Sequence, residues 1–394
     1  MTPESKLHYH HSGMSAFELS LDAVLAPLSA AKGLPNALYV DPATAALERQ
    51  RLFFDGWAGI GFGKDIPEPG DAMPINILDV PLLALRDQDG AIRVFENVCR
   101  HRGMRLLAER TRVRGRLCCP YHAWCYDSSG RLVSTPLVGG PGIHSHPEVD
   151  RTQLGLLVVR SVLWRDVIFV NVSGDAPAFE EAHAELLARW RELEQPLFAG
   201  GADSSLTLEV RANWKLAVEN YLEAYHLPCV HPDLNRYSPL DVHYNIAEYG
   251  RFAGQGSRAY RPMLEKSGLR FADFAGLGEQ WEHGAEYLAL FPNVLLGVHR
   301  DHAFAMVLEP RGMELTRERL ELYYASPEMR TPAYAGLRAQ NTALWRKVFQ
   351  EDVGVVEGMQ QGRHAPHFDG GRLTPVMDVP THVFHHWVAS RLRA

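Results

Sequence analysis

The chain has 394 residues, 46% hydrophobic and 22% charged, a profile that supports two globular cores and excludes a disordered or fibrous protein. Its net charge of −7 offers no basic stripe to nucleic acid, and no apolar run is long enough to span a bilayer. With no basic flank and apolar stretch at the N-terminus, and five Cys too few for a disulfide framework, the expectation is a reduced, cytoplasmic protein with no membrane or nucleic-acid partner.

His8, His10 and His11 lie in a polar N-terminal stretch and are given no function. From Phe17 to Leu25 the apolar residues fall at helical spacing, and a second helical pattern covers Pro42 to Phe54, with Pro27 and Pro35 between. The expected divisions are an N-terminal helical segment over 1–45, a first domain over 46–172 and a second over 173–394. In the first domain the period shortens to two. Pro74 to Val80, Pro81 to Leu85 and Ile92 to Val98 read as strands of a small antiparallel sheet, with Asp87 to Gly90 as a hairpin turn.

On the end of that sheet stands Cys99-Arg100-His101, and after a seventeen-residue spacer comes Cys119-Pro120-Tyr121-His122. Two Cys and two His can close a tetrahedral zinc site, but a zinc finger pairs Cys with Cys and His with His. Here each loop offers one of each, which suits a two-iron cluster with both thiolates on one iron and both imidazoles on the other. At these residues the chain resembles the Rieske iron-sulfur domain, and Ala123 to Asp127 continue the resemblance as a strand and turn. The family often has Gly where this chain has Ala123. Imidazole ligation puts the potential of such a cluster at roughly −150 to +300 mV, well above an all-thiolate cluster. Cys118 is expected on the opposite sheet face, and Cys125 and Cys229 read as small core residues.

Gly139 to Pro147 reads as a surface loop, and Gly155 to Val162 and Val167 to Val172 return to strands. In the second domain Glu180 to Glu194 reads as an amphipathic helix, and Ser204 to Val210, Tyr287 to Val298, Ala303 to Leu308 and Leu320 to Ala325 read as strands, punctuated by Pro292 and Pro310. The fold class is α+β: a small antiparallel β domain, then a domain whose antiparallel sheet grips long helices.

Between those strands, Asn213 to His231 is helical in pattern up to Leu227, which brings Glu219, Glu223 and His226 within about 60° of one another. Pro228 forces a turn that returns His231 toward His226, and two imidazoles beside a turn can grip a metal. Iron that activates oxygen also needs a carboxylate, with the opposite positions left open. The last long helix, Ala333 to Gln361, has Leu344, Val348, Val355 and Met359 on one stripe, Asp352 at its edge and Glu357 pointing away. A carboxylate there needs a partner, and either a ferrous ion or an Arg satisfies the requirement.

A Rieske motif followed by this His pair resembles the oxygenase (alpha) component of the Rieske non-haem iron oxygenases, over most of the chain. The resemblance implies a [2Fe-2S] cluster on Cys99, His101, Cys119 and His122, and a mononuclear Fe(II) on His226, His231 and Asp352. It further implies O2 as cosubstrate and a homotrimer in which one chain's cluster docks beside the next chain's iron. A carboxylate bridging the two centres falls on Glu223, where most members carry Asp. Members acting on choline, glycine betaine, carnitine and stachydrine tend to have Glu there, so hydroxylation or N-demethylation of a quaternary-ammonium or N-methylated compound is expected. Tyr221, Tyr237, Tyr244, Trp281, Tyr287 and Phe291 are the aromatics available to hold such a cation. Because no Gly-x-Gly-x-x-Gly opens a helix, NAD(P)H and flavin are assigned to a separate reductase. The alternatives are an aromatic-ring hydroxylating oxygenase, with an apolar pocket, and an electron carrier or redox sensor.

Overall fold

The computed structural model describes residues 20–262 and 268–393. His8, His10, His11 and Phe17 therefore lie outside the described residues. The chain divides into a unit of Phe54–Ala176 and a unit that joins Pro177–Ala394 to the segment ending at Phe53. No helix among the described residues is long and apolar enough to cross a membrane.

The first unit is built from strands β1 (Ala58–Phe62), β2 (Asp71–Ile77), β3 (Val80–Arg86), β4 (Ile92–Glu96), β5 (Thr111–Arg112), β6 (Leu117–Cys118), β7 (Cys125–Tyr126), β8 (Leu132–Ser134), β9 (Val158–Trp164) and β10 (Val167–Asn171). Seven form one sheet in the order β1-β10-β9-β4-β3-β2-β5, and β6-β7-β8 form a second. The β3–β4 turn closes through the Asp87 N–H on the Ala91 carbonyl at 2.8 Å, with Gly90 at φ +85°. Leu83, Phe95, Leu106, Leu117, Trp124 and Tyr126 make the core, and Cys99 and Cys119 are buried in it. The core thus roots both cluster loops.

The second unit holds β11 (Phe198–Ala199), β12 (Ser205–Val210), β13 (His243–Glu248), β14 (Phe252–Ser257), β15 (Ala285–Leu290), β16 (Val294–His299), β17 (His302–Pro310) and β18 (Thr316–Tyr324). They run β11-β18-β17-β16-β15-β14-β13, with β12 also on β18. Helices α1 (Trp214–Leu222), α2 (Leu227–Val230), α3 (Ala335–Gly362) and α4 (Val379–Arg393) complete the site's scaffold, with α1 on β15 and α4 on β14. The expected run Tyr287 to Val298 is two strands, broken at Pro292, and the expected helix Glu180 to Glu194 is three short pieces. Strand β14 and helix α4 carried no sequence signal. In Phe-Ala-Gly-Gln-Gly-Ser the glycines weaken a strand pattern, yet a Cβ on Gly254 would meet the Tyr287 carbonyl at 2.0 Å and one on Gly256 the Tyr244 ring at 2.2 Å. Close approach explains both.

Cys118 is exposed where its neighbour Cys119 is buried, and Cys125 is buried, both as expected; their pairing, against the reduced state expected, and the place of Cys229 are corrections. Cys118 and Cys125 face each other across β6 and β7 with Cα atoms 4.0 Å apart and are joined by a disulfide, because an antiparallel pair places such residues directly opposite. Cys229 is exposed rather than core; one turn of helix cannot bury every face.

Candidate metal centres

The two loops of the first centre have the same backbone. In each, the Cys N–H donates to the carbonyl five residues on, Cys99 to Met104 and Cys119 to Trp124, both at 2.8 Å. In each, the residue four after the Cys donates back to its carbonyl, Gly103 at 3.0 Å and Ala123 at 3.0 Å. That fourth residue is left-handed, with Gly103 at φ +72° and Ala123 at φ +54°. Glycine suits it, and Ala123 costs about 1 kcal/mol there.

These loops bring Cys99 and Cys119 together as buried thiols and set the His101 and His122 rings 4.8 Å apart between centroids. His101 stacks on Trp124 at 4.7 Å, and the buried Nδ1 of His122 has no hydrogen-bond partner among the described residues. An orphaned imidazole nitrogen beside two buried thiols fits a two-iron cluster. Sequence reasoning missed Tyr126, whose hydroxyl accepts from the Arg100 N–H at 3.0 Å and lies 3.3 Å from the Cys99 sulfur. A hydrogen bond to a ligand sulfur is one determinant of a cluster's potential.

At the second centre, α1 starts where Asn213 caps the Lys215 N–H at 3.1 Å and stops at Leu222, five residues short of the expected end. Glu223 is extended, so Glu219, Glu223 and His226 do not share a helical face. Glu219 instead meets the Tyr39 hydroxyl, the Arg363 guanidinium and the His385 ring in a buried cluster, where Arg363 answers its charge. Glu223 turns back, and its Oε1 holds His226 Nδ1 at 2.7 Å. Pro228 sits in the first turn of α2, and the chain reverses to bring His231 within 5.1 Å of His226 between ring centroids.

On α3 the buried stripe is Trp345, Phe349, Val356 and Gln360, one residue round from the expected one. Asp352 falls on the line between Phe349 and Val356, so it stands over the site rather than at an edge, while Glu357 points away from it, as expected, and accepts from the Arg211 N–H at 3.0 Å. Asp352 Oδ1 lies 2.9 Å from His231 Nε2 and 3.6 Å from His226 Nε2. The three ligand atoms lie within 4.8 Å of one another. His231 Nδ1 is held by Glu351 at 2.8 Å, a role the sequence did not disclose. Both imidazoles therefore have a carboxylate on Nδ1 and present Nε2 to a common point, the pattern of a metal-binding His. Two imidazoles and one carboxylate fit a ferrous ion with open positions opposite.

Beside this set is a cavity of about 50 Å³. Tyr221, Tyr287, Trp345 and Phe349 are its aromatic walls, with Asn220 and His243 among its polar ones. Of the six aromatics named from the sequence, Tyr221 and Tyr287 reach it. Tyr244 binds Glu286, Trp281 binds Glu192, and Phe291 packs on Phe384 and Trp387, while Tyr237 packs on Tyr260. Trp345 and Phe349 were missed because the stripe of α3 was set one residue off.

A smaller cavity of about 20 Å³ shares Asp352 and Asn220 with the first and contains Glu318. Burial, with the Asp352 carboxylate adding to it, pushes Glu318 from an ordinary 4.5 up to about 8. The folded value exceeds the unfolded one, so this group's contribution to stability is fully present below about pH 4.5 and is lost as pH rises through about 8. In protein stripped of iron by a chelator, Glu318→Gln should melt with the native chain near pH 4. It should melt roughly 5 °C or more above it near pH 9 by calorimetry. A gap that does not widen with pH would mean that Glu318 is ionised in the fold.

Residues 56–147 match the Rieske [2Fe-2S] domain family, and residues 200–394 match the ring hydroxylating alpha subunit catalytic domain. The chloroplastic choline monooxygenase of Arabidopsis thaliana is 27% identical over 377 residues, 91% of this chain and 82% of that one. The glycine betaine monooxygenase oxygenase subunit of Chromohalobacter salexigens is 33% identical over 201 residues, 51% of this chain and 43% of that one. Among solved structures, the quaternary ammonium Rieske monooxygenase CntA matches with a TM-score of 0.76 at 20% identity, over 95% of this chain and 98% of that one. Naphthalene 1,2-dioxygenase from Rhodococcus sp. also scores 0.76, at 18% identity over 96% and 98%. The chain belongs to the Rieske non-haem iron oxygenases, as an oxygenase component with a [2Fe-2S] cluster and a mononuclear iron. It is an oxygen-dependent oxidoreductase acting on a small molecule with electrons from a separate component.

Proposed function

We propose that this oxygenase hydroxylates a carbon attached to a quaternary or N-methylated nitrogen, giving either a C-hydroxylated product or N-demethylation with loss of formaldehyde. The observation that carries the reading is the cavity beside His226, His231 and Asp352, walled by the rings of Tyr221, Tyr287, Trp345 and Phe349. Ring faces attract a cation that has given up its water, and a trimethylammonium group pays little to do so. The choline and glycine betaine monooxygenases among the relatives support the same substrate class.

In this reading Cys99, His101, Cys119 and His122 hold the cluster, and His226, His231 and Asp352 hold the iron. When bound, the cluster supplies single electrons and the ferrous ion supplies the place where dioxygen is reduced. Glu223 and Glu351 fix the tautomer and tilt of the two imidazoles, so each Nε2 lone pair is aimed before metal arrives. The aromatic walls exclude water and hold the substrate. Glu223 bridges to the cluster of a neighbouring chain in a homotrimer, and a reductase with NAD(P)H and flavin feeds the cluster.

The test is a single turnover. Chemically reduced, iron-loaded protein is mixed with oxygen and either trimethylammonium compounds or aromatic acids, and products and formaldehyde are measured. Formaldehyde or a hydroxylated betaine is expected. A hydroxylated ring from the aromatic panel alone would replace the cation reading with ring hydroxylation, which the apolar walls also accommodate.

A further inference from the structure

Between Arg100 and Arg116 the chain carries seven Arg and one Glu, in a protein whose total charge is −7. Arg102, Arg105, Arg114 and Arg116 are exposed and make no ion pair among the described residues. Among the described residues Arg110 and Arg112 have Asp71 as their one acidic partner, at 3.9 and 3.8 Å, and Arg112 also donates to the Pro69 carbonyl at 3.4 Å. Seven arginines thus face two carboxylates, Asp71 and Glu109, among the described residues, and the run keeps a net positive charge. Its position is specific, because it is the spacer between the two cluster loops and passes along the short edge strand β5.

We propose that this arginine-rich spacer is the docking surface for an acidic electron-transfer protein that reduces the cluster. The proposal rests on the reading above, in which the first centre is fed by a separate component. From Ala108 to Arg116 the exposed surface is almost wholly polar, with Val113 half-buried. Permanent subunit contacts are more apolar than that, whereas a donor that must arrive and leave at every turnover is served by charge, which raises the encounter rate more than the affinity. The tips of the loops differ. There His101 and the 58%-exposed Tyr121 present ring surface, suited to the electron's exit, and the flanking arginines leave that exit uncovered.

The test uses the full, cluster-loaded protein and, as probe, a reduced plant-type [2Fe-2S] ferredoxin, an acidic carrier. Its rate of cluster reduction is followed by stopped flow at low and high salt, beside reduction by the small cation methyl viologen radical. Arg114→Glu with Arg116→Glu should slow the ferredoxin reaction more than about tenfold at low salt and flatten its salt dependence. Methyl viologen should react at the native rate, and the paired Arg→Lys variant should behave as native with both reductants. An unchanged ferredoxin rate would overturn the proposal. So would a change in oligomeric state by sedimentation, which would assign the face to a second copy of the chain. Steered reduction without oxidation of any trimethylammonium compound would remove the substrate reading and leave the docking face standing.

Discussion

Asp352→Ala should lose the mononuclear iron while keeping the cluster, lowering iron from about three to about two atoms per chain. The expectation follows from where Asp352 stands: its Oδ1 faces Nε2 of both His226 and His231, and among the described residues it is the carboxylate that completes the set. The cluster is spared because Phe54–Ala176 is a compact unit with its own core around Cys99 and Cys119. Iron analysis together with the electron paramagnetic resonance of the reduced cluster checks both halves. Turnover should fall below detection, at least about a thousandfold, since two imidazoles alone bind ferrous iron weakly. Full retention of the third iron would show that Asp352 is not the ligand and that α3 serves only as a lid.

Glu223→Gln should leave both centres loaded and still slow multiple turnover by about a hundredfold or more. Glu223 Oε1 takes His226 Nδ1 at 2.7 Å while Oε2 accepts from the Tyr225 N–H, so the chain fixes the carboxylate from both sides. The amide keeps the size of the group and loses the charge and one acceptor. In the bridging role proposed for Glu223, a neighbour's cluster His would then have no carboxylate to receive its N–H. Chemically reduced protein in a single turnover with substrate already bound should lose far less, because cluster and iron each start with an electron. If multiple turnover ran at the native rate, Glu223 would be only an orienting partner for His226, as Glu351 is for His231.

Several features were legible in the chain alone. Cys-x-His and Cys-x-x-His bracketed by strands can be read directly, because a loop ligand is set by spacing of a few residues and by the turn that holds it. His226 and His231 were legible for the same reason, with Pro228 marking the reversal. Ala123 was flagged as a departure, and its φ of +54° shows the cause: the position is left-handed in both loops.

What the sequence could not decide is whatever depends on which way a helix is rolled or where it stops. Glu219 and Glu223 differ by four residues and read as one helical face, yet α1 ends at Leu222 and sends them to different partners. The stop is made by tertiary contacts, since nothing in Leu-Glu-Ala-Tyr disfavours helix. The stripe on α3 is shifted by one residue because Trp345 and Phe349 find partners in Phe304 and Tyr221, and the periodicity of a helix with apolar residues on several sides does not choose among them. That one-residue roll brought Asp352 over the two histidines and Trp345 into the cavity. The ligand types were therefore written in local spacing, whereas the aim of each ligand and the walls of the cavity were settled by packing between elements far apart in the chain.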